Sequence, residues 1–186
     1  MTTDELEALL EGAEEIDALE FKAAMEWNRN SLVKDILAMA NIENGGQIIF
    51  GIADETYERQ GLSDAQVETF NLDIMRDQVG EFADPYVRFS KEVASDREGR
   101  RYVIINVSPF DDVPVVCKRD GSDVIKGAIY YRSRTRRPQS AAISNAGDMR
   151  DLIDIAVVRR ARRNQRLGYV VATEPEYDFE GELGGL

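Results

Sequence analysis

Three acidic residues and a lysine near the beginning of the chain are the side chains whose type and spacing could support chemistry. Glu15 and Glu20 are five residues apart, Lys22 follows closely, and Asp54 comes after an apolar run bounded by glycines. If neighbouring strands bring the three carboxylates together, they could bind Mg²⁺ or Mn²⁺ while Lys22 neutralises a phosphate. Taken singly, the same residues have ordinary alternatives: a solvated glutamate, a same-face strand pair and a turn residue.

The residue types that the chain lacks exclude several other chemistries. It has no histidine and one cysteine, Cys117. A Ser-His-Asp triad, a Cys-His pair, an HExxH zinc site and a four-cysteine zinc site therefore cannot be built. Any catalysis must use carboxylates, lysine, tyrosine and a hard cation.

Basic residues are concentrated in the second half of an otherwise acidic chain of net charge −12. Such an uneven distribution allows one face to bind a polyanion, although a solvated basic surface is the ordinary alternative. The Tyr130–Arg134 stretch alternates aromatic and basic residues, which suits base stacking and phosphate contact, or else a core strand with its arginines outside. The predicted nucleic-acid-binding residues are Lys118, Arg119, Lys126, Arg132, Arg134, Arg136 and Arg137.

The glycine pair Gly45-Gly46 does not predict an ATP site. Phosphate-binding glycines lie between a strand and the N-terminus of a helix, whereas this pair follows a predicted helix and precedes a strand. ATP is therefore an unlikely ligand on the sequence evidence.

The length of 186 residues and a composition that is 43 % hydrophobic and 31 % charged suit one domain. We predict a single domain over residues 1–172 and an acidic, disordered tail over 173–186. No apolar run is long enough for a membrane helix, and the lone cysteine fits a reducing compartment, so a cytoplasmic protein is expected.

The order of predicted elements indicates an α+β fold with a mixed, largely antiparallel sheet flanked by helices. Helices are predicted over Thr3–Leu10, from Ser31 to Met39 or Ala40, from Ser63 toward Glu81, and from Ser144 or Asn145 onward. In the last helix, Met149, Leu152, Ile153, Ala156 and Val157 are expected to face the core. The predicted strands are Ala18–Lys22, Gln47–Ile52, a hairpin of Val87–Val93 with Arg101–Val107, and a second pair of Val113–Lys118 with Ala128–Arg132.

Two blocks of the sequence resemble the Schlafen-type AlbA domain family. The first is Glu15-x4-Glu20-Phe21-Lys22, and the second runs from Ile36 through Asn41 and the glycine pair to Asp54. Weaker similarity continues through Pro114 and Ile129–Ser133 to Ser140, so that the resemblance covers roughly residues 13–158. It implies an α+β fold built for nucleic-acid contact.

The resemblance also implies an activity and an assembly. Animal Schlafens cleave transfer and ribosomal RNA with three acids, which would correspond to Glu15, Glu20 and Asp54, with Lys22 beside them. The implied function is a metal-dependent endoribonuclease that uses Mg²⁺ or Mn²⁺ and prefers RNA over DNA. Because the RNA-cleaving relatives pair two copies of the fold, a homodimer is expected by analogy.

Two other functions compete with the nuclease hypothesis. A non-catalytic DNA- or RNA-binding module would need only the basic stretches. A regulatory interaction domain would use the acids structurally and cover its basic face with the acidic tail.

Overall fold

The computed structural model describes residues 1–11, 16–54, 56–133 and 139–169, and these ranges form an α+β fold. The predicted fold class is confirmed, because a mixed, mostly antiparallel sheet is flanked by helices. The elements in chain order are α1 (Thr3–Glu11), β1 (Leu19–Lys22), α2 (Arg29–Ala40), β2 (Gly46–Phe50), α3 (Asp64–Thr69), α4 (Leu72–Gly80), β3 (Ala83–Asp84), β4 (Phe89–Ser95), β5 (Arg101–Val107), β6 (Val116–Cys117), β7 (Tyr130–Arg132), β8 (Ser140–Ala142) and α5 (Ala146–Arg166).

The main sheet has the strand order β1-β2-β5-β4. β1 runs parallel to β2, with Glu20 opposite Ile48, whereas the β2–β5 and β4–β5 pairs are antiparallel. β4 and β5 form the predicted hairpin. Two-stranded pairs, β3–β6 and β7–β8, complete the described strands.

Helices cover both faces of this sheet because successive side chains of a strand point to opposite sides. On one face, Ile48 and Phe50 of β2 belong to the larger core, which includes α2 and Leu152 of α5. On the other face, Phe21, Ile49 and Ile104 pack with Leu6 of α1. β1 therefore directs Leu19 and Phe21 toward α1, and Glu20 and Lys22 toward α2.

Asparagine side chains delimit α2. Asn28 caps its N-terminus by accepting a hydrogen bond from the Asn30 amide, so the predicted start at Ser31 is two residues late for a helix that begins at Arg29. Asn41 follows the last turn and is fully buried. Its amide group donates to the carbonyls of Val115 and Tyr130 and accepts from the Val115 amide, which ties the end of α2 to the segments before β6 and at β7.

Two sequence-based predictions of secondary structure are wrong. The Val113–Lys118 and Ala128–Arg132 segments are joined by backbone hydrogen bonds from Cys117 to Ala128 and from Gly127 to Cys117, but they do not form the predicted strand pair: β6 pairs with β3, and β7 pairs with β8. The helix predicted from Ser63 toward Glu81 has the expected capping box but is two helices, because Asn71 caps a new helix by accepting from the amides of Asp73 and Ile74.

The core-facing side of α5 is also narrower than predicted. Leu152 is buried and Ala156 is partly buried, as expected. Met149, Ile153 and Val157 are instead exposed, with 37 %, 51 % and 60 % of their surface accessible. Among the described residues, no helix is long and apolar enough to cross a membrane.

Candidate functional site

The two polar residues of β1 lie on the same face of the sheet, beneath α2. Lys22 Nζ is 2.6 Å from Glu20 Oε1 and 3.0 Å from Asp35 Oδ2, so one ammonium group bridges two carboxylates. Asp35 lies on α2 with its side chain only 5 % exposed. Burial alone lowers the pKa of Lys22, but the charges of Asp35 and Glu20 and their hydrogen bonds outweigh it, and the pKa of Lys22 is raised.

Arg132 of β7 approaches the same glutamate from the other side. Its guanidinium is fully buried and donates to Glu20 Oε2 through Nη1. The Nε atom also donates to the Asp17 carbonyl at 2.9 Å, and Nη2 to the Ile16 and Leu19 carbonyls at 3.3 and 3.4 Å. Arg132 therefore fastens β7 to the turn before β1, and we do not retain it among the nucleic-acid contacts.

These four residues, Glu20, Lys22, Asp35 and Arg132, are called the Glu20 cluster below. It contains two acids and two bases, so the opposite charges balance. Buried charges require such partners, since removing an ion from water costs several kcal/mol. The geometry indicates a structural role for the cluster, and Lys22, whose side chain is 24 % exposed, is its most accessible member.

The arrangement of the described acids does not fit a divalent cation. Both carboxylate oxygens of Glu20 already contact cations, Lys22 and Arg132. Within residues 1–11, 16–54, 56–133 and 139–169, no group of three His, Cys, Asp or Glu side chains is placed to hold a metal ion. Glu15 lies outside these residues, and the three-acid metal site therefore stays a prediction.

Asp54 lies in an exposed turn after β2. The bridge between Ile52 and Arg59 closes this turn, and Ala53 donates to the Glu58 carbonyl within it. No contact among the described residues joins Asp54 to Glu20. The structure thus brings together Glu20 and Lys22 but leaves Asp54 outside their hydrogen-bonded network.

Sequence reasoning missed Asp35, although its position carried a signal. Leu32 and Met39 are buried and lie three and four residues away from Asp35 on the same side of α2. An acid in the middle of such an apolar face requires a buried cationic partner. Asp35 could have been paired with Lys22 on this argument.

Three of the remaining six predicted nucleic-acid contacts lie in the loop between β6 and β7. Lys118, Arg119 and Lys126 are exposed. Arg119 forms an ion pair with Glu81 at 2.8 Å and covers the Phe82 ring at 5.2 Å. Neither ammonium group forms an ion pair in the part of the chain that the structure describes, although the Lys126 backbone amide donates to Asp120 Oδ1 at 2.9 Å. Arg134, Arg136 and Arg137 lie outside the described residues.

The comparison with protein families gives one match. The family described as Schlafen, AlbA_2 matches residues 15–139, a range that contains β1, α2 and β2 and ends before β8. No curated protein has significant sequence similarity to the chain.

A solved structure supports the fold. The N-terminal domain of an ATP-dependent DNA helicase RecG-related protein from Nitrosomonas europaea matches with a TM-score of 0.50 and 21 % identity, over 77 % of this chain and 95 % of that domain. The DIP2311 protein from Corynebacterium diphtheriae matches with a TM-score of 0.49 and 16 % identity. That match covers 80 % of this chain but only 27 % of the DIP2311 chain.

Proposed function

Because the chain belongs to the Schlafen AlbA_2 family, we propose that it is a nucleic-acid-binding domain whose contact surface includes the loop between β6 and β7. The name of the solved relative from Nitrosomonas europaea, which refers to a DNA helicase, is consistent with this proposal. We favour RNA over DNA as the ligand, on the resemblance noted in the sequence.

The exposure of Lys118 and Lys126 is the observation that carries the proposal. In a chain with 35 acidic and 23 basic residues, most basic side chains should form an ion pair with an acidic one. The ammonium groups of these two lysines, which belong to one loop, nevertheless form no ion pair within the described residues, and Asp120 of this loop accepts from the Lys126 backbone amide instead. Unneutralised lysines that share a surface are suited to phosphate contact, which releases counterions from the nucleic acid.

A salt titration tests the proposal. We expect Lys118→Gln with Lys126→Gln to weaken binding of a fluorescent single-stranded RNA and to reduce the slope of log K against log salt by about 1.4, or about 0.7 for each phosphate that the variant no longer neutralises. Lys34→Gln with Lys91→Gln removes the same charge elsewhere and should leave the slope unchanged. An equal change in both double variants would reject the loop as the contact surface. If a DNA strand of the same sequence binds as tightly as the RNA, the RNA preference is rejected.

A metal-dependent endoribonuclease that uses Mg²⁺ or Mn²⁺ is the second candidate function. The partial exposure of Lys22 favours it, because this ammonium is the member of the Glu20 cluster that a phosphate can reach most easily. Glu20 and Asp35 would hold Lys22 in place for such a contact, and Glu15, Glu20 and Asp54 stay the proposed metal ligands.

Asp54 offers the cleanest test of cleavage because it is exposed and its replacement should not disturb packing. If the protein is a nuclease, tRNA should be cleaved with Mn²⁺, and Asp54→Asn should abolish cleavage without changing the free energy of unfolding. Asp73→Asn, at a side chain that is 93 % exposed, serves as the matched control. Absence of cleavage, or equal cleavage by Asp54→Asn, would reject this function.

A homodimer is the last part of the proposal. The exposed apolar side chains Met149, Ile153 and Val157 recur every four residues along α5 and support it. We expect sedimentation equilibrium to give a dimer that Ile153→Asp converts to a monomer, while Val113→Asp, at a similarly exposed position, leaves the dimer intact. A monomeric parent protein would reject the proposal.

A further inference from the structure

A depression in the protein surface runs along one side of α5. The charge of the side chains that line it changes from acidic to basic toward the end of the helix. One cavity of about 310 Å³ is lined in part by Asp151, Asp154, Ile155 and Val158, and a second of about 570 Å³ continues it toward the end of the helix. The two cavities share Arg159 and Arg162, so they form one groove. The second cavity, called the arginine end below, is lined by Asp111, Arg159, Arg162, Gln165 and Arg166.

Two of the three arginines of the arginine end are available to a ligand, whereas Arg159 donates to the Phe110 and Glu43 carbonyls. Arg162 and Arg166 are exposed, and neither forms an ion pair within the described residues. By contrast, Arg160 and Arg163 of the same helix both contact Asp112. The single acid of the arginine end, Asp111, is itself paired with Arg88 at 2.5 Å. The arginine end therefore offers positive charge to an anionic partner.

The chain carries a complementary sequence shortly after α5. Five acids alternate with other residues over positions 174–182, and residues 170–186 contain no lysine or arginine. The intervening positions include Pro175, Tyr177 and Phe179. In an extended segment this alternation places every acid on one side and the aromatic rings on the other. Such a segment can set its acids against the arginines of the arginine end.

The end of α5 turns the chain away from the helix axis. Gly168 has φ of 77°, its amide donates to the Gln165 carbonyl, and the Tyr169 amide donates to the Asn164 carbonyl at 2.9 Å. This pair of bonds is the Schellman motif, which reverses the chain direction. Residues 162 and 169 are separated by about 10 Å of helical rise. Four extended residues, 170–173, span about 13 Å, so the first acid can reach Arg162.

We propose that residues 174–182 of this chain bind in the arginine end of the α5 groove, as an intramolecular ligand for Arg162 and Arg166. Charge complementarity selects the arginine end over the other end of the groove, because Asp151 and Asp154 repel an acidic segment. The short connection favours binding within one chain, since it keeps the local concentration of the segment high. The proposal is independent of the nucleic-acid-binding function.

Paramagnetic relaxation in the whole protein tests the contact directly. A nitroxide attached at Tyr177→Cys should broaden the backbone amide signals of Val158–Arg166, while the native Cys117 is buried. Broadening should disappear in Arg162→Gln with Arg166→Gln, and also in 1 M salt, where the Debye length falls to about 3 Å. In the monomeric Ile153→Asp background, mixing labelled protein with an isotope-enriched, unlabelled copy should give no broadening, because the contact is within one chain.

A charge-matched control separates specific docking from general attraction. In the Tyr177→Cys background, Glu176→Gln, Asp178→Asn and Glu180→Gln should abolish the broadening. Glu68→Gln, Asp77→Asn and Asp123→Asn remove three exposed acids elsewhere and should leave it intact. The proposal is overturned if α5 shows no broadening, if broadening is centred on Met149 and Ile153 instead, or if it arises only between separate molecules.

Discussion

The Glu20 cluster and the loop between β6 and β7 contain the same kinds of charged side chain but use them differently. In the cluster, Arg132 is fully buried and bound to Glu20 and three backbone carbonyls. In the loop, Lys118 and Lys126 are exposed, and their ammonium groups form no ion pair among the described residues. The sequence analysis assigned each charged residue a function from its type. The burial and the ion-pair partners of the residue determine whether it can contact a ligand.

The difference concerns which charges are still available to a ligand. A buried ion pair has already exchanged water for its partner, so a ligand could use it only by breaking that contact. An exposed lysine keeps its water and its mobile counterions, which a phosphate can displace. Substitutions in the cluster should therefore change stability, and substitutions in the loop should change binding.

Substitution of Arg132 is expected to have the largest effect on the free energy of unfolding. Arg132→Met should lower the free energy of unfolding by about 3–5 kcal/mol, because it leaves Glu20 buried with one of its two cations missing. Arg119→Met removes an exposed ion pair with Glu81 and should cost about 1 kcal/mol or less. Urea denaturation of both variants measures the difference. Equal effects would show that burial does not separate the two regions.

Glu20 gives the next largest effect and separates a structural from a catalytic role. Glu20→Gln should destabilise the protein by about 2–4 kcal/mol, since Arg132 and Lys22 lose the carboxylate between them. A group of mutually repelling metal ligands predicts the reverse, with stability unchanged or slightly raised. Thermal and urea unfolding would decide, and a stabilised variant would restore the metal-ligand interpretation of Glu20.

Asp96 is a buried acid at the turn end of the β4–β5 hairpin. It tests whether substitution of a buried charged residue outside the Glu20 cluster also lowers the free energy of unfolding. Its carboxylate accepts hydrogen bonds from Arg100 Nε at 2.7 Å and from the Tyr102 hydroxyl at 2.9 Å. Burial raises its pKa, but these hydrogen bonds outweigh burial, and the pKa of Asp96 is lowered. Its contribution to stability is therefore present above the unfolded pKa of about 3.9 and is lost as pH falls through the folded pKa.

Asp96→Asn should accordingly lower the free energy of unfolding by about 1.5–3 kcal/mol at pH 6, the range for a hydrogen bond to a charged group. The loss of stability on acidification below about pH 4 should be smaller in this variant than in the parent. Asp73→Asn, at an exposed acid, is the matched control and should change the free energy of unfolding at pH 6 by no more than about 0.5 kcal/mol. Parallel acid profiles for the parent and Asp96→Asn would contradict the assignment.

The smallest effect on stability is expected in the loop. Lys118→Gln with Lys126→Gln should change the free energy of unfolding by no more than about 0.5 kcal/mol, as is usual for exposed positions. A larger loss in urea denaturation would show that these lysines also have a structural role, and the comparison between the two regions would then weaken.

Local elements of the fold were predictable because their signals lie within a few residues. The capping box at Ser63 and the asparagine cap at Asn145 are contacts between near neighbours, and both helices begin where expected. The β4–β5 hairpin likewise joins adjacent segments. In each case the sequence that forms the element also contains its boundary signal.

Long-range partners were not predictable in the same way. β6 pairs with a strand more than thirty residues earlier in the chain, so alternation alone suggested the wrong neighbour. Arg132 contacts Glu20, which lies 112 residues earlier in the sequence. The residues near Arg132 in the sequence do not indicate that its side chain is buried. For the candidate site, the Glu20–Lys22 pair was predictable from β-strand alternation and Asp35 from its place on an apolar helix face, whereas the contact of Arg132 with Glu20 required the three-dimensional structure.

The position of α1 has a consequence for handling the protein in solution. α1 lies before residues 15–139, yet its Leu6 is fully buried against Phe21 and Ile104 of the matched segment. A fragment that begins at residue 15 would expose this apolar side of the sheet to water. The free-energy cost of this exposure is about 1.5–3 kcal/mol for each large side chain uncovered. Apolar surfaces of this kind promote aggregation, especially beside an unpaired edge strand such as β4. We therefore expect a chain that begins at residue 15 to be less soluble than the same chain with α1 included.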